Sequence, residues 1–523
     1  MGSENQQNHQ AELEKRLWDM ANSLRGQMEA SEFKNYILGL IFYRYLSDKI
    51  EILAEEILSN NDETYAQVWE NEELREEISA ELISQVGYVI EPEFLFSNMI
   101  AEINKGENGV FDVEMLQKGT TRLIESTKGK DSQDDFDNLF DDLDLNSSKL
   151  GRDVKSRSEL ITKIMTSIDS IPFSHDDIEM DLLGTVYEYL IGQFASTAGK
   201  SAGEFYTPQQ VSKILAKIVG QGKDRLKNVY DPTCGSGSLL LRVARETEVG
   251  HYYGQELTST TFNLSRMNMM LHGVPHNRFD IKNANTLTEP QHLDKKFEAI
   301  VANPPYSAHW SASDSFLTDE RFSSYGKLAP KTKADFAFVQ HMIHHLDDNG
   351  TMAVVLPHGV LFRGAAEGVI RRFLIEKKNY LDAVIGLPAN IFYGTGIPTC
   401  ILIFKKCRKD DDKVLFIDAS NDFGKGKNSN FLRDSDVDKI VETYLHRKKI
   451  DKYSHLATLE SIADNDYNLN IPRYVDTFES AGIIDLDTIS TEISLTEKKI
   501  NEIDNVIESL ISNLVVSTKE EVY

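Results

Sequence analysis

Apolar positions divide the chain into three textures. From Ala11 to about Ser170 they recur at intervals of three and four, and Leu13, Leu17, Ala21, Leu24 and Met28 share one helical face. Ser31 can cap a second helix, whose Tyr36-Ile-Leu-Gly-Leu-Ile-Phe-Tyr43 run is apolar nearly all round, the pattern of a helix buried on every side. The strongly acidic stretch 131–144 places Phe136, Leu139, Phe140 and Leu143 at the spacing of one face. We expect a short helix there, packed through these residues and solvated on its acidic side; an interaction surface is the alternative.

From about Lys227 short apolar runs alternate with helical patterns, as in a parallel sheet with crossover helices. Strands are expected at 228–230, 251–255, 279–282, 297–302, 351–356, 383–387 and 400–405, with a further one at 414–417. The last texture is a heptad seam. Ile489, Ile493, Thr496, Ile500, Ile503, Ile507, Leu510 and Leu514 are spaced 4-3-4-3-4-3-4 on one helix flanked by Glu and Lys. Such a helix needs a partner, either its own chain or another subunit. The division expected is therefore 1–170 helical, 171–475 α/β, and 476–523 a helical docking segment.

Composition narrows the class. The 523 residues are 41% hydrophobic and 27% charged, values of a globular chain with a sizeable core. No stretch approaches the ~20 apolar residues of a membrane span, and the polar stretch from Met1 to Gln10 lacks the apolar region of a secretory signal. A cytoplasmic protein with no membrane association is expected. Cys234, Cys400 and Cys407 are too few and scattered for a disulfide framework or a four-thiolate zinc site. Cys400 should pack in a strand. The net charge of −27 creates a field that repels nucleic acid, so a DNA substrate would need cations from elsewhere.

Two motifs carry chemistry. Val229-Tyr-Asp-Pro-Thr-Cys-Gly-Ser-Gly-Ser-Leu-Leu240 joins a strand end at Asp231, a tight turn over Gly235, Ser236 and Gly237, and a helix start at Ser238. Glycines here let backbone approach a ligand closely. A dinucleotide site would want a third Gly where Leu240 stands. Glu256 ends the next strand, nineteen positions after Gly237, where an acid accepts both ribose hydroxyls of a nucleoside. An adenosine-containing ligand without a pyrophosphate fits, and S-adenosylmethionine answers that description. Upstream, Glu204, Phe205, Tyr206, Thr207, Pro208 and Gln209 precede an amphipathic helix over 211–219, with Pro208 suited to its first turn. Downstream, Asn283 and Asn285 offer carboxamides to an adenine edge, though a loop turn accounts for them equally well.

The second motif ends an apolar strand: Asn303, Pro304, Pro305, Tyr306. Two prolines fix the chain and remove two N–H donors while keeping their carbonyls as acceptors. The exocyclic amine of a base is a poor nucleophile because its lone pair is delocalised. Acceptors on Asn303 and the Pro304 carbonyl would hold its hydrogens out of plane and localise the lone pair toward a methyl sulfonium, while Tyr306 stacks on an extruded base. Positioning and polarisation suffice, with no covalent intermediate and no metal. His341, His344 and His345 lie on one expected helix over 335–346, beside Phe336, Phe338 and Met342, and are read as core residues.

With the helical N-terminal region, Ala334-Asp-Phe-Ala-Phe338, Leu356-Pro-His-Gly-Val-Leu-Phe-Arg363, Gly394-Thr-Gly-Ile-Pro-Thr399 and Tyr467-Asn-Leu-Asn-Ile-Pro472, these motifs give the chain its resemblance. Over nearly its whole length it resembles the modification subunit of a type I restriction-modification system, an N6-adenine DNA methyltransferase. The resemblance implies a Rossmann-like α/β sheet using S-adenosylmethionine. Cofactor contacts would come from Glu204 to Gln209, Gly235 to Ser238, Glu256 and Asn285, although many related enzymes have an acid where Asn285 stands. Asn303 to Tyr306 would be the catalytic tetrapeptide. It further implies a specificity subunit that chooses the DNA sequence, two modification subunits to each, a restriction subunit for cleavage, and N-terminal helices that gate DNA or sense an existing methyl mark.

No insertion after the tetrapeptide is large enough for a target-recognition domain, which fits a separate sequence reader. Lys327, Lys331 and Lys333 are either a phosphate-contacting loop or ordinary surface charges. Two other readings stay open: an autonomous amino-methyltransferase acting on DNA, RNA or a protein glutamine, and a cofactor-sensing assembly subunit without catalysis.

Overall fold

The structure, a computed structural model, describes residues 2–23, 30–60, 63–105, 112–171, 177–197, 207–392, 394–426, 429–477 and 486–517. Glu204, Phe205 and Tyr206, like Leu24 and Met28, lie outside the described residues. The chain forms two units, Met1–Asp476 and Thr477–Tyr523.

Eleven strands form among the described residues: β1 Arg225–Asp231, β2 Glu248–Glu256, β3 Phe279–Asn283, β4 Phe297–Ala302, β5 Leu346–Pro357, β6 Leu381–Gly386, β7 Thr399–Lys405, β8 Val414–Asp418, β9 Gly424–Lys425, β10 Asn430–Phe431 and β11 Ser454–Ala457. Nine make one sheet, in the order β11-β8-β6-β7-β5-β4-β1-β2-β3, and β9 pairs β10 separately. The pairs from β5 through β4, β1 and β2 to β3 are all parallel; β7 runs antiparallel between β5 and β6, and β11 antiparallel on β8.

Both faces of the sheet are covered along β5 to β8, so those strands read as continuous apolar runs, while β3 alternates. Along β4 and β5, Ala299, Val301, Ala353 and Val355 enter one core with Ile214, Leu240, Met269 and Val437 of the helices on that side. Their neighbours Ile300, Ala302, Met352 and Val354 enter the other, with Phe336, Met342 and Ile370. Strand β1 sits between β4 and β2, where the connections diverge in opposite directions. The crevice outside the carboxyl ends of β1 and β4 is thus the ligand position this topology creates.

The N-terminal helices Gly2–Ser23 and Ala30–Leu58 bury Leu13, Leu17, Ala21 and the whole 36–43 run, whose apolar side chains all enter the first core. Ser31 is not the cap: the helix already begins at Ala30. In the acidic stretch only Gln133–Phe136 is helical, because Asn138 turns left-handed at φ 58° and breaks the repeat. Phe136, Leu139, Phe140 and Leu143 are nevertheless all buried.

The acidic side of that stretch is bonded to the helix Ser259–Leu271 rather than simply solvated. Asp142 accepts from Thr260 Oγ1 at 2.5 Å and Asn263 Nδ2 at 2.9 Å. The buried Arg266 donates to the carbonyls of Asp134 and Asp137, both at 2.9 Å. No helix of the described residues is long and apolar enough to cross a membrane.

Among its described residues the second unit contains one helix, Leu486–Ser517. A single helix has no inner side, and Ile489, Ile493, Ile500, Ile503, Ile507 and Leu510 are exposed along the heptad seam.

Candidate active site

Strand β1 ends at Asp231, and the chain then turns through Gly235 at φ 56° and Gly237 at φ 77° before the helix Ser238–Glu246. Both angles favour glycine, and a Cβ on Gly237 would stand 2.8 Å from Ser265 Oγ. The helix Ser259–Leu271 props this turn from behind, with Asn268 Nδ2 donating to the Ser236 carbonyl at 2.9 Å. Ser236 and Ser238 join their hydroxyls at 2.9 Å.

Glu256, at the end of β2, locks onto the same turn. Its Oε2 accepts the Gly235 N–H at 3.1 Å and its Oε1 the Thr258 N–H at 2.9 Å. Each oxygen keeps a lone pair for a ligand hydroxyl. Burial raises this carboxyl above its usual range.

Asp231 does not line the crevice. It is 2% exposed, and its Oδ1 accepts from the Thr233 N–H at 2.9 Å, so it shapes the turn from beneath. Burial, opposed by that hydrogen bond and helped by the Glu256 charge, pushes its carboxyl up to about 7. In the pH range between the unfolded and folded pKa values the native protein holds a proton the unfolded chain releases, so stability is lost as pH rises through 7. Urea unfolding should show the parent losing about 1.4 kcal/mol more than Asp231→Asn between pH 6 and pH 8. Equal losses in the two proteins would refute this.

One crevice of about 290 Å³ brings Glu256, Asn285, Asn303 and Pro305 together. Asn285 uses Oδ1 to accept from the N–H groups of Leu287 at 3.0 Å and Thr288 at 3.3 Å, leaving its Nδ2 donor for a ligand. Asn283 is committed to structure: its Nδ2 donates to the Glu256 and Leu257 carbonyls and its Oδ1 accepts from Ser259 Oγ.

At the end of β4, Asn303 Oδ1 accepts from the Tyr306 hydroxyl at 2.7 Å, and Asn303 Nδ2 donates to Thr207 Oγ1 at 3.2 Å. Thr207 is thereby placed against the tetrapeptide. Pro208 stands just before the helix Gln209–Val219, and Gln209 Oε1 accepts from Arg242 at 3.1 Å. The Tyr306 ring meets Phe392 edge-on, centroids 6.0 Å apart.

Sequence reasoning missed several wall residues, among them Leu257, Leu287, Trp310 and Phe338. Leu257 carried a signal in directly following Glu256, and the structure leaves it 65% exposed despite being apolar. His341 is engaged on both ring nitrogens. Nδ1 accepts from Arg321 Nη1 at 3.2 Å, so Nε2 carries the proton toward the Tyr230 oxygen, 3.0 Å away. Burial holds this imidazole neutral. Cys400 is buried in β7.

The fold is an α/β sheet with one crevice outside the carboxyl ends of β1 and β4. The N-6 DNA Methylase profile matches residues 178–482, and the HsdM N-terminal domain profile matches residues 13–168. The chain is 35% identical to the type I restriction enzyme MpnII methylase subunit of Mycoplasma pneumoniae, covering 96% of each. It is 27% identical to the MjaIX methylase subunit of Methanocaldococcus jannaschii, covering 95% of this chain and 91% of that one. Among solved structures, the type I restriction-modification system methyltransferase subunit from Streptococcus thermophilus matches with 44% identity and a TM-score of 0.83, over 89% of this chain and 100% of that one. The chain belongs to the type I restriction enzyme methylase subunits, a family of N6-adenine DNA methyltransferases.

Proposed function

We propose that this chain transfers the methyl group of S-adenosylmethionine to N6 of an adenine swung out of duplex DNA, while another polypeptide selects the sequence. The observation that carries the reading is the single crevice lined by Glu256, Asn285, Asn303 and Pro305 together.

The residues present fit the cofactor. Glu256 would accept the ribose hydroxyls, Asn285 Nδ2 would donate to a ring nitrogen of the adenine, and the backbone from Gly235 to Ser238 would lie against the amino-acid portion. When bound, the cofactor supplies an electrophilic methyl group on a sulfonium. Asn303 Oδ1 already accepts one hydroxyl proton from Tyr306 and has a second lone pair for an amine hydrogen of the target base. The Pro304 carbonyl takes the other hydrogen, and Tyr306 packs on the base. Holding the amine in line with the donor is then the main source of rate.

We take residues 171–475 as this catalytic part, 1–170 as the part that gates DNA or senses a methyl mark, and 476–523 as the docking helix. The heptad seam of Leu486–Ser517 supports docking on a helical stretch of a type I specificity subunit, two copies of this chain to each, with a restriction subunit joining for cleavage. With a net charge of −27, the cations that hold DNA come largely from those partners.

The test is methyl transfer from tritiated S-adenosylmethionine to unmodified duplex DNA, with and without the sequence-reading polypeptide, followed by nucleoside analysis. Label should appear as N6-methyl-2′-deoxyadenosine and only with both polypeptides. Label on cytosine or on protein glutamine, or full activity of the chain alone, would overturn the proposal.

A further inference from the structure

The catalytic tetrapeptide does not run out into a free loop. Ser307, the next residue, has φ 51°, a left-handed conformation that a non-glycine residue keeps only when its surroundings impose it. Its N–H donates to Asp335 Oδ1 at 2.8 Å. The chain on either side is tied in the same place: Ala334 N–H donates to the Ala308 carbonyl at 2.9 Å, and Trp310 N–H to the Lys331 carbonyl at 3.0 Å.

Asp335 is 1% exposed and opens the helix Asp335–His345, whose following residues are nearly all buried. A carboxylate buried to this degree is costly unless paired. Its Oδ2 accepts from Arg363 Nη2 at 2.6 Å. Arg363 is fixed in turn by Glu367, itself 2% exposed, with Nη2 donating to Oε1 at 2.9 Å and Nε standing 2.7 Å from Oε2. The three charges come from three places: the helix after the catalytic loop, the turn after β5, and the helix Ala365–Arg372. An acid serving only its own helix would bond that helix's first N–H groups or simply face its N-terminus. This one spends one oxygen on Ser307 and the other on Arg363.

We propose that Asp335 is a positioning residue for methyl transfer, fixing the C-terminal end of Asn303 to Tyr306 through the Ser307 amide, with Arg363 and Glu367 holding its carboxylate in place. The inference rests on the reading of Asn303 to Tyr306 as the catalytic tetrapeptide. Asp335 acts on the geometry of the reacting amine, not on cofactor affinity.

The experiment measures single-turnover methylation by the full chain reconstituted with its sequence-reading polypeptide on unmodified duplex DNA, alongside S-adenosylmethionine affinity by calorimetry and a thermal melt. Asp335→Ala should slow the single-turnover rate about 10²-fold, the effect of a reacting group displaced by about an ångström. Cofactor affinity should stay within about threefold of the parent, because binding and the chemical step separate in this way when only transition-state geometry is lost. Asp335→Asn can keep an oxygen on the Ser307 N–H only by turning its NH₂ group toward Arg363, so it should recover only part of the lost rate. Arg363→Gln, the second variant, leaves Asp335 in contact with Ser307 but unsteadied and should give an intermediate slowing.

A parent-like rate in folded Asp335→Ala overturns the proposal, as does a loss of rate matched by an equal loss of cofactor affinity. If that variant does not fold, the same outcomes in Arg363→Gln decide. Asn303→Ala runs beside them: if it stays active, the reading of the tetrapeptide has failed; if it is inactive while the Asp335 variants match the parent, only the positioning role has.

Discussion

Asn303→Ala should lower methylation by roughly 10³-fold while leaving cofactor binding nearly intact, since removing one preorganised polar group at a reacting centre costs about 10²–10³ in rate. The carboxamide lines the same crevice as the Glu256 carboxylate proposed to hold the ribose, but it is proposed to face the reacting amine instead. Its loss removes the proposed acceptor for the amine hydrogen. It also frees the Tyr306 hydroxyl, now bonded to Asn303 Oδ1 at 2.7 Å, so the ring proposed to pack on the base loses its tether. Single-turnover rates at saturating cofactor, set against calorimetric affinity, measure the split. Equal losses in both would mean that Asn303 only holds the crevice open.

Glu256→Ala should give the opposite pattern. Two charge-assisted hydrogen bonds to the ribose hydroxyls, each worth about 1.5 kcal/mol at the low end, convert to a loss of about 10²-fold in affinity. Saturating cofactor should restore much of the rate, because Asn303 and its neighbours are untouched. Glu256→Gln is not a mild version of this change. Both carboxylate oxygens already accept a backbone N–H, from Gly235 and Thr258, so an amide must point its NH₂ group at one of these donors. The glutamine variant is therefore expected to bind nearly as poorly as alanine. Wild-type affinity in Glu256→Gln would place the ribose elsewhere.

Much of the fold was legible because its signals are local. Each of the eight strand segments read from the sequence falls on a strand, with 383–387 overrunning β6 by one residue, and the signal is clearest in β5 to β8, where unbroken apolar runs are buried on both faces. The strand Ser454–Ala457 was missed: its four residues pair along one edge and carry no such run. The acidic stretch was half legible. Its apolar spacing correctly marked the residues that pack, but Asn138 at positive φ is a backbone event that periodicity does not register.

The site divides along the same line. Glu256, Asn285, Asn303 and Pro305 are named by contiguous motifs at strand ends, and all four line the crevice. The Ser307–Asp335–Arg363 chain joins residues 28 positions apart at each step, and no pattern in the sequence links them. Asn283 shows the limit of composition: two carboxamides two residues apart look alike on paper, and only hydrogen-bond partners reveal that one is spent on the loop itself.

The helix Ser259–Leu271 faces two ways. One side supports the Ser236 carbonyl, and the other carries Thr260, Asn263 and Arg266, which grip the chain from Asp134 to Asp142. The amino-terminal region and the cofactor crevice are consequently not separable cassettes. A chimera that grafts one relative's first 170 residues onto another's sheet must carry matching partners for Arg266 and Asp142 across the graft, or the seam is left with buried charges facing nothing.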